Sequence, residues 1–306
     1  MASIERVLIT GGAGFIGSHL AAAWCDLGAK VRILDSLRSG RRQNIEELAC
    51  EFLQESVEDL AAVRAAMVGV DVVHHLAAVV SVPESMENPQ QTEAINVLGT
   101  LNVLTAAREA GVRKVVFSST CAVYGMAERP LHAESDLPEP VSPYAISKLA
   151  GEHYMNLYST AFGVGTVSLR YFNVFGPRQD PKSPYAAAVA IFADRARNGE
   201  PLVIYGDGQQ TRDFVYVEDI VAANLVAAER GSGVYNVACG NRVTIRDLAD
   251  AILDLTGSSS RIIHEAPRAG DVRHSRGDAS RLRSLGWAPK VSLGEGLRRT
   301  IKRELG

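Results

Sequence analysis

Thr10-Gly11-Gly12-Ala13-Gly14-Phe15-Ile16-Gly17 closes an apolar, strand-like run, Arg6–Thr10, and opens a helix-length segment, Phe15–Leu27. Glycines stand at 11, 14 and 17. The first permits a tight turn, the second lets backbone approach a pyrophosphate, and the third lets helix and strand pack closely. The pyrophosphate would rest on the free N–H groups at the start of the helix. A glycine-rich turn without function has the same composition. The strand before it and the helix after it favour dinucleotide binding.

Working outward, strand-length runs recur at Lys30–Asp35, Glu51–Gln54, Val70–Leu76, Lys114–Ser118 and Gly165–Arg170. Helix-length segments lie between most of them, at Val57–Met67, Pro89–Ala110 and Pro143–Phe162. This alternation predicts an α/β fold, a Rossmann-type doubly wound parallel sheet with right-handed crossovers. Ligands on such sheets bind beyond the carboxyl ends of the strands. After Asn173 the alternation weakens, with prolines at 177, 181, 184 and 201. Asp213–Ala228 reads as strand then helix and Gly233–Ala238 as a strand, both as returns to the main sheet. The expected division is a dinucleotide domain over 1–176, rejoined by about 213–237, and a smaller C-terminal substrate lobe over 177–306.

Composition narrows the class. The 306 residues are 46% hydrophobic, and a chain of this length can bury roughly 75% of its unfolded surface. Disordered, collagen-like and disulfide-scaffold chains are excluded on that basis. A formal charge of −3 gives no electrostatic reason to expect nucleic acid or an anionic membrane. No apolar run approaches the ~18 residues of a membrane span. Glu5 and Arg6 lead straight into the first strand, unlike a signal peptide. Cys25, Cys50, Cys121 and Cys239 lie far apart with no CxxC pair, which suits a reducing compartment. The expected location is the cytoplasm.

Asp35 ends the second strand, 18 residues after Gly17. A carboxylate there accepts hydrogen bonds from an adenosine ribose and repels a 2′-phosphate, favouring NAD over NADP. Arg38, Arg41 and Arg42 weigh against that preference, because a nearby arginine can hold a 2′-phosphate. Tyr144 and Lys148 are four apart and share one helix face. A phenolate useful at pH 7 needs a downward shift of about 3 units, roughly 4 kcal/mol. A lysine charge together with a positive nicotinamide ring can supply it. Ser118-Ser119-Thr120 ends another strand, where a hydroxyl can bond a substrate alcohol or relay its proton. Strand-end turn capping is the ordinary use of such a cluster. His74 and His75 lack a third ligand at metal spacing and read as packing residues, so no metal is expected.

From about Arg6 to about Leu305 the chain resembles the nucleotide-sugar epimerases of the extended short-chain dehydrogenase/reductase family. The resemblance rests on Gly11–Gly17, Asp35, His75-Leu76-Ala77-Ala78, Asn96, Ser118–Thr120, Tyr144 with Lys148, and Tyr171-Phe172-Asn173. Arg212-Asp213-Phe214-Val215 and Arg268-Ala269-Gly270-Asp271 extend it. It implies Tyr144 as catalytic base, Lys148 on the nicotinamide ribose, and Thr120 as the third catalytic residue. It implies bound, recycled NAD held by Gly11, Gly14, Phe15, Ile16, Gly17, Asp35, Ser56, Val57, Leu76, Ala77, Ala78, Asn96, Ser118 and Tyr171, with Tyr144 and Lys148. Asn173, Arg212 and Arg268 resemble contacts to a nucleotide-sugar diphosphate, which needs cations and oriented donors. A homodimer built on Pro89–Ala110 and Pro143–Phe162 is implied too, with Leu98, Leu101, Val103, Leu104, Leu149, Tyr154 and Leu157 as surplus apolar residues.

One departure stands out. Family members often carry Gly-Asp-Ile or Gly-Asp-Val after the third strand, with the aspartate near the adenine. Here the sequence is Glu55-Ser56-Val57. Ser56 is a weaker, neutral acceptor for the adenine amine, Asp59 is offset, and Val57 can pack on the ring.

The reaction follows from what is missing. Relatives that eliminate water carry an Asp-Glu pair just after the catalytic threonine, and decarboxylases usually carry a glutamate at the second of these positions. Cys121 and Ala122 stand there. Without a further acid or base, the simplest course is 4-epimerisation through a transient 4-keto sugar. Ser275, in Arg268–Ser275, matches a position where epimerases restricted to UDP-glucose and UDP-galactose tend to carry tyrosine. A serine leaves room for an N-acetyl group. Ser81 could bond a sugar hydroxyl, and Asp271 belongs to the same substrate set. The expected substrates are UDP-N-acetylglucosamine and UDP-N-acetylgalactosamine, with UDP-glucose and UDP-galactose also accepted and UDP-glucuronate open. A nicotinamide oxidoreductase that releases its product, and a non-catalytic nucleotide-binding protein on the same fold, are the other classes. Intact Thr120, Tyr144 and Lys148 argue against the latter.

Overall fold

The computed structural model describes residues 4–127, 129–181, 188–267 and 272–303. The first half runs β1 (Arg6–Thr10), α1 (Phe15–Asp26), β2 (Lys30–Leu34), β3 (Cys50–Leu53), α2 (Leu60–Met67), β4 (Val72–His75), α3 (Val82–Glu87) and α4 (Pro89–Glu93). It continues through a π-helical turn (Ala94–Leu98), α5 (Gly99–Glu109), β5 (Lys114–Thr120), α6 (Pro143–Phe162) and β6 (Gly165–Tyr171). The second half holds β7 (Asn173–Phe175), α7 (Ala188–Asn198), β8 (Leu202–Tyr205), β9 (Thr211–Arg212), β10 (Phe214–Tyr216), α8 (Val217–Arg230) and β11 (Gly233–Val237). It ends with β12 (Val243–Thr244), α9 (Ile245–Thr256), β13 (Ile262–Glu265), α10 (Ser280–Ser284) and α11 (Leu293–Arg303).

Seven strands form one sheet in the order β11-β6-β5-β4-β1-β2-β3, and every pair is parallel. Side chains alternate along each strand. Val7 and Ile9 point to the face where Trp24 of α1 and Ile220 of α8 pack. Leu8 points to the other face, among Val63 of α2, Val103 of α5 and Met155 of α6. Both faces are therefore covered, which explains the near-continuous apolar runs. The carboxyl ends of β1, β2 and β4 align, since Thr10 pairs with Leu34 and His75, while β5 runs three residues past Phe117, the partner of His75, to Thr120.

β11 pairs with β6 at the sheet edge, while β10 pairs with β7 in a ladder of its own. Of the expected return of Asp213–Ala228 to the main sheet, the strand therefore does not join it, whereas the helix, α8, packs on its face. β8 pairs with β13 and β9 with β12, and a separate apolar cluster around Phe175, Phe192, Ile204 and Leu248 fills the smaller lobe.

Two helices depart from expectation. The segment expected from Val57 starts at Leu60, because the Asp59 carboxylate accepts from the N–H groups of Ala61 (2.8 Å) and Ala62 (3.2 Å) and caps α2. Pro89–Glu109 is interrupted by its π turn. Val103 and Leu104, expected as surplus apolar residues, are buried within the chain, whereas Leu98 is 51% and Leu157 46% exposed. No helix among the described residues is long and apolar enough to cross a membrane.

Helix α6 is pinned to β6 by a buried ion pair and to β5 by a hydrogen bond. Glu152 accepts from Arg170 Nε at 2.9 Å and Nη2 at 2.7 Å, and from the Ser119 hydroxyl at 2.5 Å. Both charged side chains are only 4% exposed. Glu152→Ala would strand a buried guanidinium, so we expect a loss of about 3–5 kcal/mol in urea denaturation. Replacing Arg170 by leucine in the same variant should recover part of it.

Candidate active site

A cavity of about 950 Å³ opens above the strand ends. Its floor is the glycine loop. Gly11 adopts a left-handed φ of 71°, and its N–H donates to Leu34 O at 2.9 Å. A Cβ on Gly17 would lie 2.2 Å from Gly11 O, so only glycine allows the loop to fold back on the helix. No side chain caps α1 at Gly14, leaving its first N–H groups available to the cavity. Phe15, Ile16, Leu76, Ala77 and Ala78 also line it.

Asp35 lies at the mouth of β2. Its Oδ2 accepts from Ala13 N–H at 2.9 Å and its Oδ1 from Leu37 N–H at 2.8 Å. Burial raises its pKa, and these two bonds oppose the rise. The three arginines that weighed against NAD are all engaged elsewhere. Arg38 donates to Glu84 at 2.6 Å and Gln91 at 3.0 Å. Arg41 pairs with Asp180 across the cavity mouth, and Arg42 lies 4.1 Å above the Phe52 ring.

At the other end stand Ser118, Thr120, Tyr144, Lys148 and Tyr171. Pro143 opens α6, and the Ser142 hydroxyl caps it by accepting from Ala145 N–H at 3.2 Å. The Tyr144 N–H donates to Ser85 Oγ at 3.1 Å. Thr120 accepts from Ala122 N–H at 3.1 Å and hydrogen-bonds the Tyr144 phenol. Burial pushes Tyr144 up to about 12, Thr120 pulls it back, and the neighbouring Cys121 thiol adds to the rise. Lys148 is not among these causes in the cofactor-free fold, and burial brings its own pKa down to about 7. Its Nζ lies 4.9 Å above the Phe117 ring. Tyr171, bonded to Ser118 at 3.1 Å, is pushed by burial up to about 12.

His74 and His75 are packing residues. Trp24 Nε1 donates to His74 at 3.0 Å, while His75 bonds Thr10 at 2.7 Å and Thr100 at 2.9 Å. Burial lowers His74 to about 4, and burial with the Lys148 charge lowers His75 to about 3.

Other expected contacts sit differently. Asn96 lies off the cavity, its amide bracing Val79 N–H (2.7 Å), Val79 O (3.0 Å) and Ser147 Oγ (2.9 Å). Ser81 caps α3 by accepting from Glu84 N–H at 3.1 Å. Asn173, Arg212 and Ser275 also lie off the cavity wall. Ser275 hydrogen-bonds the Cys121 thiol, which is close enough to Arg212 to feel its charge. The Asn173 Oδ1 is buried without a hydrogen-bond partner among the described residues. Arg268 and Asp271 lie outside the described residues. Sequence reasoning missed Cys121 as the meeting point of Thr120, Ser275 and Arg212. It also missed Gln91 and Asp180 on the cavity wall, where Arg178 and Gln179 stand as well. The last three come five to seven residues after Asn173, close to the Tyr171-Phe172-Asn173 segment.

Residues 7–238 match the NAD dependent epimerase/dehydratase family. The chain belongs to that family. It is 40% identical over 309 residues to the UDP-glucose 4-epimerase of Mycolicibacterium smegmatis, covering 97% of each chain. The structure of a UDP-N-acetylglucosamine 4-epimerase from Methanobrevibacter ruminantium in complex with UDP-N-acetylmuramic acid matches with a TM-score of 0.96. That match has 39% identity over 99% of both chains. The Thermus thermophilus UDP-glucose 4-epimerase complex with NAD matches with a TM-score of 0.93 and 40% identity, over 98% of this chain and 99% of that one.

The cavity fits the NAD of this epimerase/dehydratase family. An uncapped helix start suits a pyrophosphate, and Lys148 has no carboxylate partner among the described residues, so ribose hydroxyls would complete its bonding. Its pKa falls from 10.5 to about 7. Keeping it charged in the cofactor-free fold therefore costs on the order of a few kcal/mol. The cost is full below pH 7, where folded and unfolded chains are both protonated. It fades as pH rises from about 7 to 10.5, where only the unfolded chain keeps the proton. Lys148→Met should therefore raise the Tm of cofactor-free protein at pH 6, with the gain shrinking toward pH 10. Scanning calorimetry across that range checks this.

Proposed function

We propose that the protein is a UDP-hexose 4-epimerase, acting by preference on UDP-N-acetylglucosamine and UDP-N-acetylgalactosamine and also on UDP-glucose and UDP-galactose. The observation that carries this reading is the Thr120–Tyr144–Lys148 group on the wall of the dinucleotide cavity. Cys121 and Ala122 follow it, where elimination chemistry would need an acid and a base. Bound and retained, NAD supplies reversible hydride exchange with sugar C4, giving a transient 4-keto sugar.

The chain's own residues manage the proton. Tyr144 Oη takes it from the C4 hydroxyl and returns it to the inverted alcohol, so no net proton is exchanged. Thr120 holds the phenol in place and can bond the same sugar oxygen. The Lys148 ammonium, completed by the ribose, stabilises the Tyr144 phenolate that takes this proton. Asn173, Arg212 and Arg268 would meet the UDP diphosphate, and Ser81 and Asp271 the sugar neighbourhood. In this reading 1–176 with 213–237 carries NAD and the remainder of 177–306 carries the sugar nucleotide. The exposed Leu98, Ile146 and Leu157 supply a homodimer face. Four free thiols suit the cytoplasm.

NMR of the anomeric protons on NAD-loaded protein tests the reading, with UDP-N-acetylglucosamine, UDP-glucose and UDP-glucuronate in separate tubes. A galacto-configured product from the first is expected, and a 4-keto, 6-deoxy product would overturn 4-epimerisation. Tyr144→Phe should lower kcat by about 10²–10⁴-fold without loss of bound NAD.

Ser275 is buried against Cys121 beside the reacting group, so a phenol ring there would take the space of an N-acetyl group. Ser275→Tyr should depress N-acetylhexosamine turnover more than hexose turnover. Equal loss on both, measured as kcat/KM, would refute the gatekeeper role.

A further inference from the structure

The cavity does not end at Asp35. It continues past the edge of β2 to the residues that follow β3, namely Glu55, Ser56, Val57 and Glu58. With a pyrophosphate on α1 and a ribose on Asp35, the adenine must occupy this end. Val57 and Ile95 supply apolar surface for its ring. The polar edge needs a separate explanation, because Asp59 is spent on capping α2.

We infer that Ser56 and Glu58 act as one unit that selects the amino-bearing edge of adenine. The Ser56 hydroxyl donates its only proton to Glu58 Oε2 at 3.0 Å and accepts from the Glu58 N–H at 3.2 Å. The oxygen therefore turns only a lone pair toward a ligand. It accepts from an exocyclic amine and repels a carbonyl oxygen at the same position. The carboxylate also polarises the hydroxyl and makes it a better acceptor. Glu58 thus fixes the direction of a group that would otherwise rotate freely, accepting from an amine or donating to a carbonyl.

The backbone that carries the pair is held from behind. Asn102 Nδ2 donates to Val57 O at 2.9 Å and to Glu58 O at 3.0 Å. Val57 packs so closely on Gly99 that a Cβ there would lie 2.7 Å from Val57 Cγ2. The selecting group therefore sits on a rigid turn although its side chains are exposed.

The inference rests on NAD as the cofactor and is independent of which sugar is turned over. It is tested by calorimetric titration of cofactor-stripped protein with NAD and with nicotinamide hypoxanthine dinucleotide, in which a carbonyl replaces the adenine amine. The unmodified chain should bind NAD about tenfold more tightly. In Glu58→Ala the hydroxyl can rotate, so the ratio should fall to about twofold or less, chiefly because the hypoxanthine dinucleotide binds better. Ser56→Ala should weaken NAD and leave the hypoxanthine dinucleotide unchanged or tighter. A ratio near one in the unmodified chain would overturn the inference, as would an undiminished ratio in Glu58→Ala. Failure to bind either dinucleotide would overturn the NAD reading with it, whereas a tenfold ratio without sugar turnover would leave this inference standing and remove the epimerase.

Discussion

Phe117 occupies the space where a side chain on residue 151 would stand. A Cβ on Gly151 would lie 2.4 Å from the Phe117 ring. Because it is absent, α6 settles onto β5, and Tyr144 and Lys148 come down beside Thr120. The same ring lies under the Lys148 ammonium. Glu152, the next residue, then reaches Ser119 and Arg170 and locks the approach. The reacting groups thus owe their spacing to one missing methyl group and one buried charge pair.

The electrostatics at the two ends of the cavity differ in kind. Around Asp35, the nearby Arg38, Arg41 and Arg42 each have a partner within the chain. Around Tyr144 the charges are unfinished. A phenol and an ammonium are both buried, and burial favours the neutral form of each. One end is complete in the chain itself, while the other is completed by what binds.

Much of this was legible in the sequence where the cause is local. β1 and α6 have the expected limits because their signals lie at their own ends: the glycine turn after Thr10, Pro143 with the Ser142 cap, and Gly163 in a left-handed conformation closing α6. The family resemblance named the residues of the reacting end correctly as neighbours. What escaped was set by distant contacts. Asn96 braces Val79 and Ser147 from outside the cavity, and nothing in its own neighbourhood announces those partners. The arginines after Asp35 carry the right charge for a 2′-phosphate, and only Glu84, Gln91, Asp180 and Phe52 reveal that they are engaged. β10 has the composition of a core strand, yet β7 is the partner within reach.

The π turn at Ala94–Leu98 acts as a phase shifter. One extra residue in a helical turn rotates everything after it by about 100°. Gln91 before the turn faces the cavity, Ile95 within it meets both the cavity and the buried cluster, and Val103 and Leu104 after it face the sheet. A uniform helix has one apolar stripe and could serve one of these surfaces. By slipping a residue, this segment serves two that lie at an angle to each other.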